Sequence, residues 1–194
     1  MASLPIPRLT EEEYMRLERA AETRSEFVDG EMFAMSGARL THNLIAGNVI
    51  SGLHLQLRRR PCEVYPSDMR VRVSATGLYT YPDVVVVCGK PQLADNEMDN
   101  LLNPTLLVEV LSPGTEAYDR GRKFEHYRKI ESLRQYLLVA SDRVSVELFT
   151  RQAIGQWLLM TASGLEEEIE LESIECRLRV ADIYEKVEFE VERK

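Results

Sequence analysis

The chain has 194 residues, with 24 basic and 32 acidic side chains and a formal net charge of −8. At this length about 70% of the extended-chain surface can be buried, enough for a core without covalent staples. A composition of 44% hydrophobic and 29% charged residues excludes wholesale disorder, collagen and coiled coil. The longest apolar runs, such as Val84–Cys88, are far short of a transmembrane span, so no membrane partner is expected. Met1–Pro5 lacks the basic flank and apolar stretch of a signal peptide. Cys62, Cys88 and Cys176 are odd in number and lack metal-ligand spacing, which predicts buried thiols in a reducing cytoplasm.

Thr10-Glu11-Glu12-Glu13 is a capping box, and Tyr14, Leu17 and Ala21 follow it at helical spacing, predicting a helix over about 11–23. Glu26–Phe33 reads as a hairpin around Asp29-Gly30. Thr41 is placed to cap a helix running to about Arg59, with Leu44, Ile45, Val49, Leu53 and Leu57 on its buried face and Pro61 beyond its end. Met69, Val71 and Val73 alternate with Arg70, Arg72 and Ser74, the pattern of a half-buried strand. Tyr81–Cys88 and Thr105–Leu111 are more uniformly apolar and read as central strands covered on both faces, with a polar loop over 95–100 between them. Ser112-Pro113-Gly114-Thr115 breaks the chain, and Thr115 can cap a helix from Glu116 to about Ile130. Tyr136–Ala140, Val144–Phe149 and Trp157–Thr161 predict a meander. A weakly alternating stretch over 169–178, a short helix or turn over 180–186 and a charged tail complete the chain. These elements predict a single α/β (α+β) domain over residues 1–194, with its core at about 25–185 and a mixed central β-sheet flanked by helices.

Charge is unevenly spread. Residues 166–194 hold eleven acidic and five basic side chains, whereas residues 119–134 hold six basic against three acidic, and Arg58-Arg59-Arg60 forms another basic cluster. An acidic total does not exclude a nucleic-acid partner when cations gather on one side, although solvated helix faces explain the same pattern.

Two acids are out of place. Glu109 sits inside Leu106-Leu107-Val108-Glu109-Val110-Leu111, where an unpaired carboxylate costs several kcal/mol, so it must be neutral, paired with a cation, or bound to a metal. Asp83 follows Pro82 at the entry to an apolar strand, where a turn role is the ordinary reading. If the two strands are neighbours, about 4.8 Å apart, the two carboxylates can converge, and such a pair with waters and a phosphate oxygen suits Mg²⁺. Lys123 has Asp119 four residues before it as a helix-pair partner, but it also borders the apolar stripe of Phe124, Tyr127 and Ile130.

Together these residues resemble the PD-(D/E)XK nuclease superfamily, and in detail its bacterial Uma-type group of restriction-endonuclease-like proteins. The resemblance rests on Glu26-Phe27-Val28-Asp29-Gly30-Glu31, the His42 helix, Tyr81-Pro82-Asp83-Val84 and Val108-Glu109-Val110-Leu111-Ser112-Pro113. Asp119, Lys123, Tyr127 and Gln135-Tyr136-Leu137-Leu138-Val139 complete it. It implies a restriction-endonuclease-like fold and Mg²⁺- (or Mn²⁺-) dependent hydrolysis of DNA, with RNA not excluded. Asp83 and Glu109 would be metal ligands, Lys123 the catalytic amine, Glu26 an accessory carboxylate, and Arg120, Arg122 and Arg128 contacts to nucleic acid. The superfamily signature places its lysine two residues after the second acid, where this chain has Leu111, so Lys123 would supply the amine from the following helix. The alternative is a catalytically inactive nucleic-acid- or protein-binding module of the same fold. The oligomeric state stays open, a homodimer included. Ser112 has no Gly-x-Ser-x-Gly context for a nucleophile, and His42 reads as a packing or capping residue.

Overall fold

A computed structural model describes residues 8–189; Met1–Pro5 and the end of the charged tail lie outside the described residues. Helix α1 (Glu11–Ala20) starts on the expected capping box: the Glu13 N–H donates to Thr10 Oγ1 (3.1 Å), and the Thr10 N–H donates to Glu13 Oε2 (2.8 Å). Its buried residues are Tyr14, Met15 and Glu18, whereas Leu17 is largely exposed. Strands β1 (Ser25–Val28) and β2 (Glu31–Ala34) form the expected hairpin. Both turn residues have positive φ (Asp29 53°, Gly30 83°), as a turn that follows strand twist requires.

Helix α2 (Leu40–Leu57) buries Ile45, Val49, Leu53 and Leu57. Its N-cap is Arg39, with no side-chain capping bond; the expected cap, Thr41, lies within the first turn, and Leu44 is only half-buried. Then come β3 (Cys62–Pro66), β4 (Arg70–Val73), β5 (Leu78–Thr80), β6 (Val84–Cys88), β7 (Asn100–Leu101) and β8 (Leu106–Leu111). The expected helix over 116–130 is shorter and interrupted. It is built from α3 (Glu116–Tyr118), a π-helical turn (Asp119–Lys123) and α4 (Phe124–Tyr127), and Thr115 makes no capping bond. The meander is β9 (Gln135–Ala140), β10 (Val146–Arg151) and β11 (Trp157–Ala162), followed by the β12 (Glu168–Leu171) and β13 (Cys176–Arg179) hairpin and α5 (Val180–Ile183).

Two large sheets organise these elements. The first runs β11-β10-β9-β8-β6-β3 and is mixed, with β8 and β9 parallel and the other pairs antiparallel. Parallel neighbours need a crossover, and the α3–π–α4 segment supplies it. The second sheet runs β2-β1-β5-β4-β7. Both faces of β6 and β8 are covered, which is why these strands lack polar alternation. Val84, Val86, Leu106 and Val108 pack with α2, the β12–β13 hairpin and α5, while Val85, Val87, Leu107 and Leu111 pack with Tyr127, Leu133 and Tyr136. No helix among the described residues is long and apolar enough to cross a membrane.

Two expectations are corrected here. Arg70 is buried rather than on a solvent face, because its guanidinium donates to the Tyr81 hydroxyl (2.7 Å) and Asn100 Oδ1 (3.1 Å) and pairs with Asp99 (3.2 Å). Cys62 and Cys88 are not thiols but a disulfide, since they face each other directly across β3 and β6 with Cα atoms 4.0 Å apart; Cys176 alone is free and buried. The unfolded, unreduced chain should therefore show one titratable thiol, rising to three after reduction. Reduction should lower the stability measured by urea unfolding by about 2–4 kcal/mol. Three thiols before reduction would refute the pairing.

Candidate active site

Strand β6 runs antiparallel to β8, with Val84 opposite Val108, so Asp83, one residue before β6, comes level with Glu109. Directly opposed residues share a sheet face, which puts the two acids on the same side. Asp83 Oδ2 accepts a hydrogen bond from the Val110 N–H (2.7 Å) and lies 3.2 Å from His42 Nε2 in the first turn of α2. The Asp83 side chain is 16% exposed and that of Glu109 only 6%, so one acid meets solvent while the other lies beneath it.

Lys123 reaches this pair from the crossover. Its Nζ stands 3.0 Å from Glu109 Oε1, 3.0 Å from Glu26 Oε1 and 3.5 Å from Asp119 Oδ1. The expectation of a lysine at the border of the buried face is corrected: its side chain is 6% exposed. The partners come from three places. Glu109 is on β8, Glu26 on β1 of the second sheet, and Asp119 one turn earlier in the same π-helical segment. Hydroxyls complete the shell. The Tyr127 hydroxyl donates to Glu109 Oε1 (2.8 Å), the Thr80 hydroxyl donates to Glu26 Oε1 (2.5 Å), and the Tyr136 hydroxyl donates to the Asp119 carbonyl (3.2 Å).

Three carboxylates thus surround one ammonium, and Asp83 adds its charge at Glu109. Burial pushes the Glu109 carboxyl up; Lys123 opposes this, but the charges of Asp119, Asp83 and Glu26 add to it, leaving the pKa well above the usual carboxylate range. Asp119 is raised for the same main reason, burial, with Lys123 opposing. Burial alone would lower Lys123, yet Glu109, Glu26 and Asp119 outweigh it and hold the proton firmly. Burial likewise disfavours charge on His42, and the bond to Asp83 with its charge reverses this, so its pKa is raised. Burial pushes the Tyr118 hydroxyl up to about 12, and Lys123 Nζ lies 6.0 Å from that ring.

The structure brings together Asp83, Glu109, Lys123 and Glu26, but not the three arginines. Arg120 is engaged by Glu116 (2.8 Å) and Glu147, while Arg122 and Arg128 are exposed on the helix and Arg128 lies over the Phe124 ring (5.4 Å). The sequence reading missed the contact of His42 with Asp83 and the role of Thr80. A histidine in the first turn of a helix gives no sign of which acid it faces, and Thr80 has no distinguishing pattern. As a metal site the donor set is all oxygen, the chemistry of a hard cation that takes one or two protein carboxylates and fills the rest with water. No group of three or more His, Cys, Asp or Glu side chains among the described residues is arranged to hold a metal. Asp83 and Glu109 are two carboxylates of the oxygen-donor kind that such a cation takes.

Because the Glu109 pKa is raised, the folded state holds its proton more tightly than the unfolded state does. Its contribution to stability is fully present below about pH 4.5 and is lost as pH climbs toward the raised value. Glu109→Gln imitates the neutral acid, so urea unfolding in EDTA should show this variant gaining on the wild type between pH 4.5 and pH 7.5. An equal difference at both pH values would refute the charge assignment.

A profile of the Uma2 family, described as "Putative restriction endonuclease", matches residues 11–181. The chain is 37% identical over 162 residues to the uncharacterized protein sll1609 of Synechocystis sp., covering 84% of this chain and 92% of that protein. It is 35% identical over 187 residues to slr1290 of the same organism, covering 96% and 97%. A crystal structure described as a putative nuclease belonging to DUF820, from Anabaena variabilis, superposes with a TM-score of 0.75 at 17% identity. The match covers 91% of this chain and 97% of that one, and it speaks for the fold. A profile match across most of the chain, with two relatives above 30% identity, shows that the chain belongs to the Uma2 family of restriction-endonuclease-like proteins.

Proposed function

We propose that the chain is a divalent-metal-dependent endonuclease that hydrolyses phosphodiester bonds in DNA at the Asp83–Glu109–Lys123 cluster. The observation that carries this reading is the surplus of negative charge: Glu26, Glu109 and Asp119 lie around Lys123, and Asp83, paired with His42, adds its charge at Glu109. Such a surplus is costly unless protons or a cation relieve it. Asp83 and Glu109 would hold Mg²⁺ or Mn²⁺, which when bound supplies Lewis acidity toward a phosphate oxygen and acidifies water. His42 and the Val110 N–H orient Asp83, and the Tyr127 hydroxyl orients Glu109. Lys123, charged at neutral pH and held by three carboxylates, places a fixed positive charge where a phosphoryl group would develop negative charge. Glu26 draws the ammonium toward the second sheet and sets its position. RNA presents the same phosphodiester and is an outcome of the substrate test.

One observation favours the inactive-module alternative: each acid near Lys123 already has a protein partner, as in a structural ion cluster. Metal dependence separates the readings. Mg²⁺ should raise the Tm of the wild type and leave that of Asp83→Asn unchanged, and cleavage of plasmid DNA should disappear in EDTA, in Asp83→Asn and in Glu109→Gln. Wild-type turnover in Glu109→Gln would sink the metal assignment. Lys123→Met should cost about a hundredfold to a thousandfold in rate, by analogy with a lost oxyanion donor. It should also be destabilised by about 3–5 kcal/mol, because the buried Glu109 and Asp119 and the half-buried Glu26 lose their cation. Near-normal cleavage by a folded Lys123→Met would show that the amine is not needed.

A further inference from the structure

The six-stranded sheet ends on β11, and this edge is unlike the one at its other end. Strand β3 carries Glu63 and Pro66 and is tied to β6 through Cys62, and charge and proline are devices that discourage another strand from pairing. Strand β11 reads Trp157-Leu158-Leu159-Met160-Thr161-Ala162, with no charge and no proline. Of ten large apolar side chains exposed among the described residues, five fall between 154 and 165: Ile154, Leu158, Leu159, Met160 and Leu165.

Backbone parity shows what this edge can accept. The Gln152 N–H donates to the Gln156 carbonyl (2.8 Å), and these residues continue the register in which Arg151 faces Trp157. Polar backbone groups of alternate residues point to the same side of a strand. Gln156, Leu158, Met160 and Ala162 therefore turn their N–H and C=O toward β10, and Trp157, Leu159 and Thr161 turn theirs outward. A second strand laid antiparallel on that row finds a matching row in β11 itself. With Leu159 on a two-fold axis, Trp157 faces Thr161, Leu159 faces its own copy, and Leu158 faces Met160. Each of the outward-turned residues then exchanges backbone hydrogen bonds, and no charged side chain is buried. Trp157 is already held for this contact, with the Arg151 guanidinium over its ring (4.6 Å) and the Phe124 ring meeting it edge-on (5.2 Å).

We propose that β11 is a homodimerisation edge, on which a second copy of this chain pairs antiparallel about Leu159 to make one continuous sheet across the two-fold axis. The occupant is the chain itself rather than a foreign peptide, because this register matches apolar side chains on both faces with no group left to be supplied. The edge is three strands from Glu109, about 14 Å along the sheet, so it is independent of the metal reading.

Analytical ultracentrifugation of the full chain should find a dimer at concentrations up to about 100 μM. Leu159→Lys sets two ammonium groups face to face on the axis and should weaken dimerisation at least about a hundredfold, with the circular dichroism of the wild type retained. Mixing Leu159→Lys with Leu159→Glu chains should restore a dimer that neither forms alone. A monomeric wild type overturns the proposal, as does a dimer that Leu159→Lys leaves intact or a mixture that fails to reassociate. Should the charged variants not fold, Leu159→Cys decides. Residues facing each other in a hydrogen-bonded pair have Cα atoms about 5.5 Å apart, within disulfide reach. Mild oxidation should link two chains through position 159, and failure to do so overturns the register.

Discussion

The ion pair between Glu109 and Lys123 is the interaction on which the arrangement turns. A carboxylate in the middle of a strand whose every residue is buried has no route to water, so the fold must bring a cation to it or leave it protonated. The cation comes from the crossover joining the parallel strands β8 and β9. That crossover is not a plain α-helix: its middle turn is π-helical, and both Asp119 and Lys123 lie in it and are buried. π-Turns inside helices are frequently found at functional sites. Here the turn supplies the ammonium and one of its acids from a single piece of backbone.

The second sheet adds what the first cannot. Glu26 on β1 and Thr80 on β5 approach from the side opposite β8, and Lys123 Nζ is equally distant from Glu26 and Glu109. The ammonium thus ties a central strand of one sheet to the hairpin of the other. The Asp29-Gly30 turn, which appears only to connect two short strands, sets the register that carries Glu26 to this position. Asp83 is handled differently. It lies just before its strand, retains some solvent access, and is oriented by a backbone N–H and an imidazole rather than by an ammonium. The two acids therefore differ in accessibility by design of the strand ends, with Asp83 toward solvent and Glu109 beneath.

Cations elsewhere on the crossover serve several ends. Arg120 joins Glu116 to Glu147 of β10 and so fastens the helix over the sheet, while Arg122 and Arg128 remain on the exposed side. A positive local balance in the sequence therefore mixes cations tied into ion pairs with exposed ones, and counting charges does not separate them. The buried Arg70 makes the same point, since its alternating context marks it as solvent-facing while Tyr81, Asn100 and Asp99 bind it inside.

Sequence by itself determined the elements whose signals are local. The capping box before α1, the Asp-Gly hairpin, the buried stripe of α2 and the apolar runs of β6 and β8 each follow from residues a few positions apart, because helix and strand periodicities act over that range. It also marked Glu109 and Asp83, because a charge within or entering an apolar strand is anomalous whatever surrounds it. Only the tertiary structure decided the pairings: His42 with Asp83, Glu26 with Lys123, Cys62 with Cys88, Arg70 with Tyr81. Each joins residues at least eleven positions apart and depends on sheet order and register, which no local pattern encodes. The π-turn belongs to the same class. Its residues have ordinary helical character, and the partners that Lys123 meets from it, Glu109 and Glu26, come within reach only once β8 and β1 are in place.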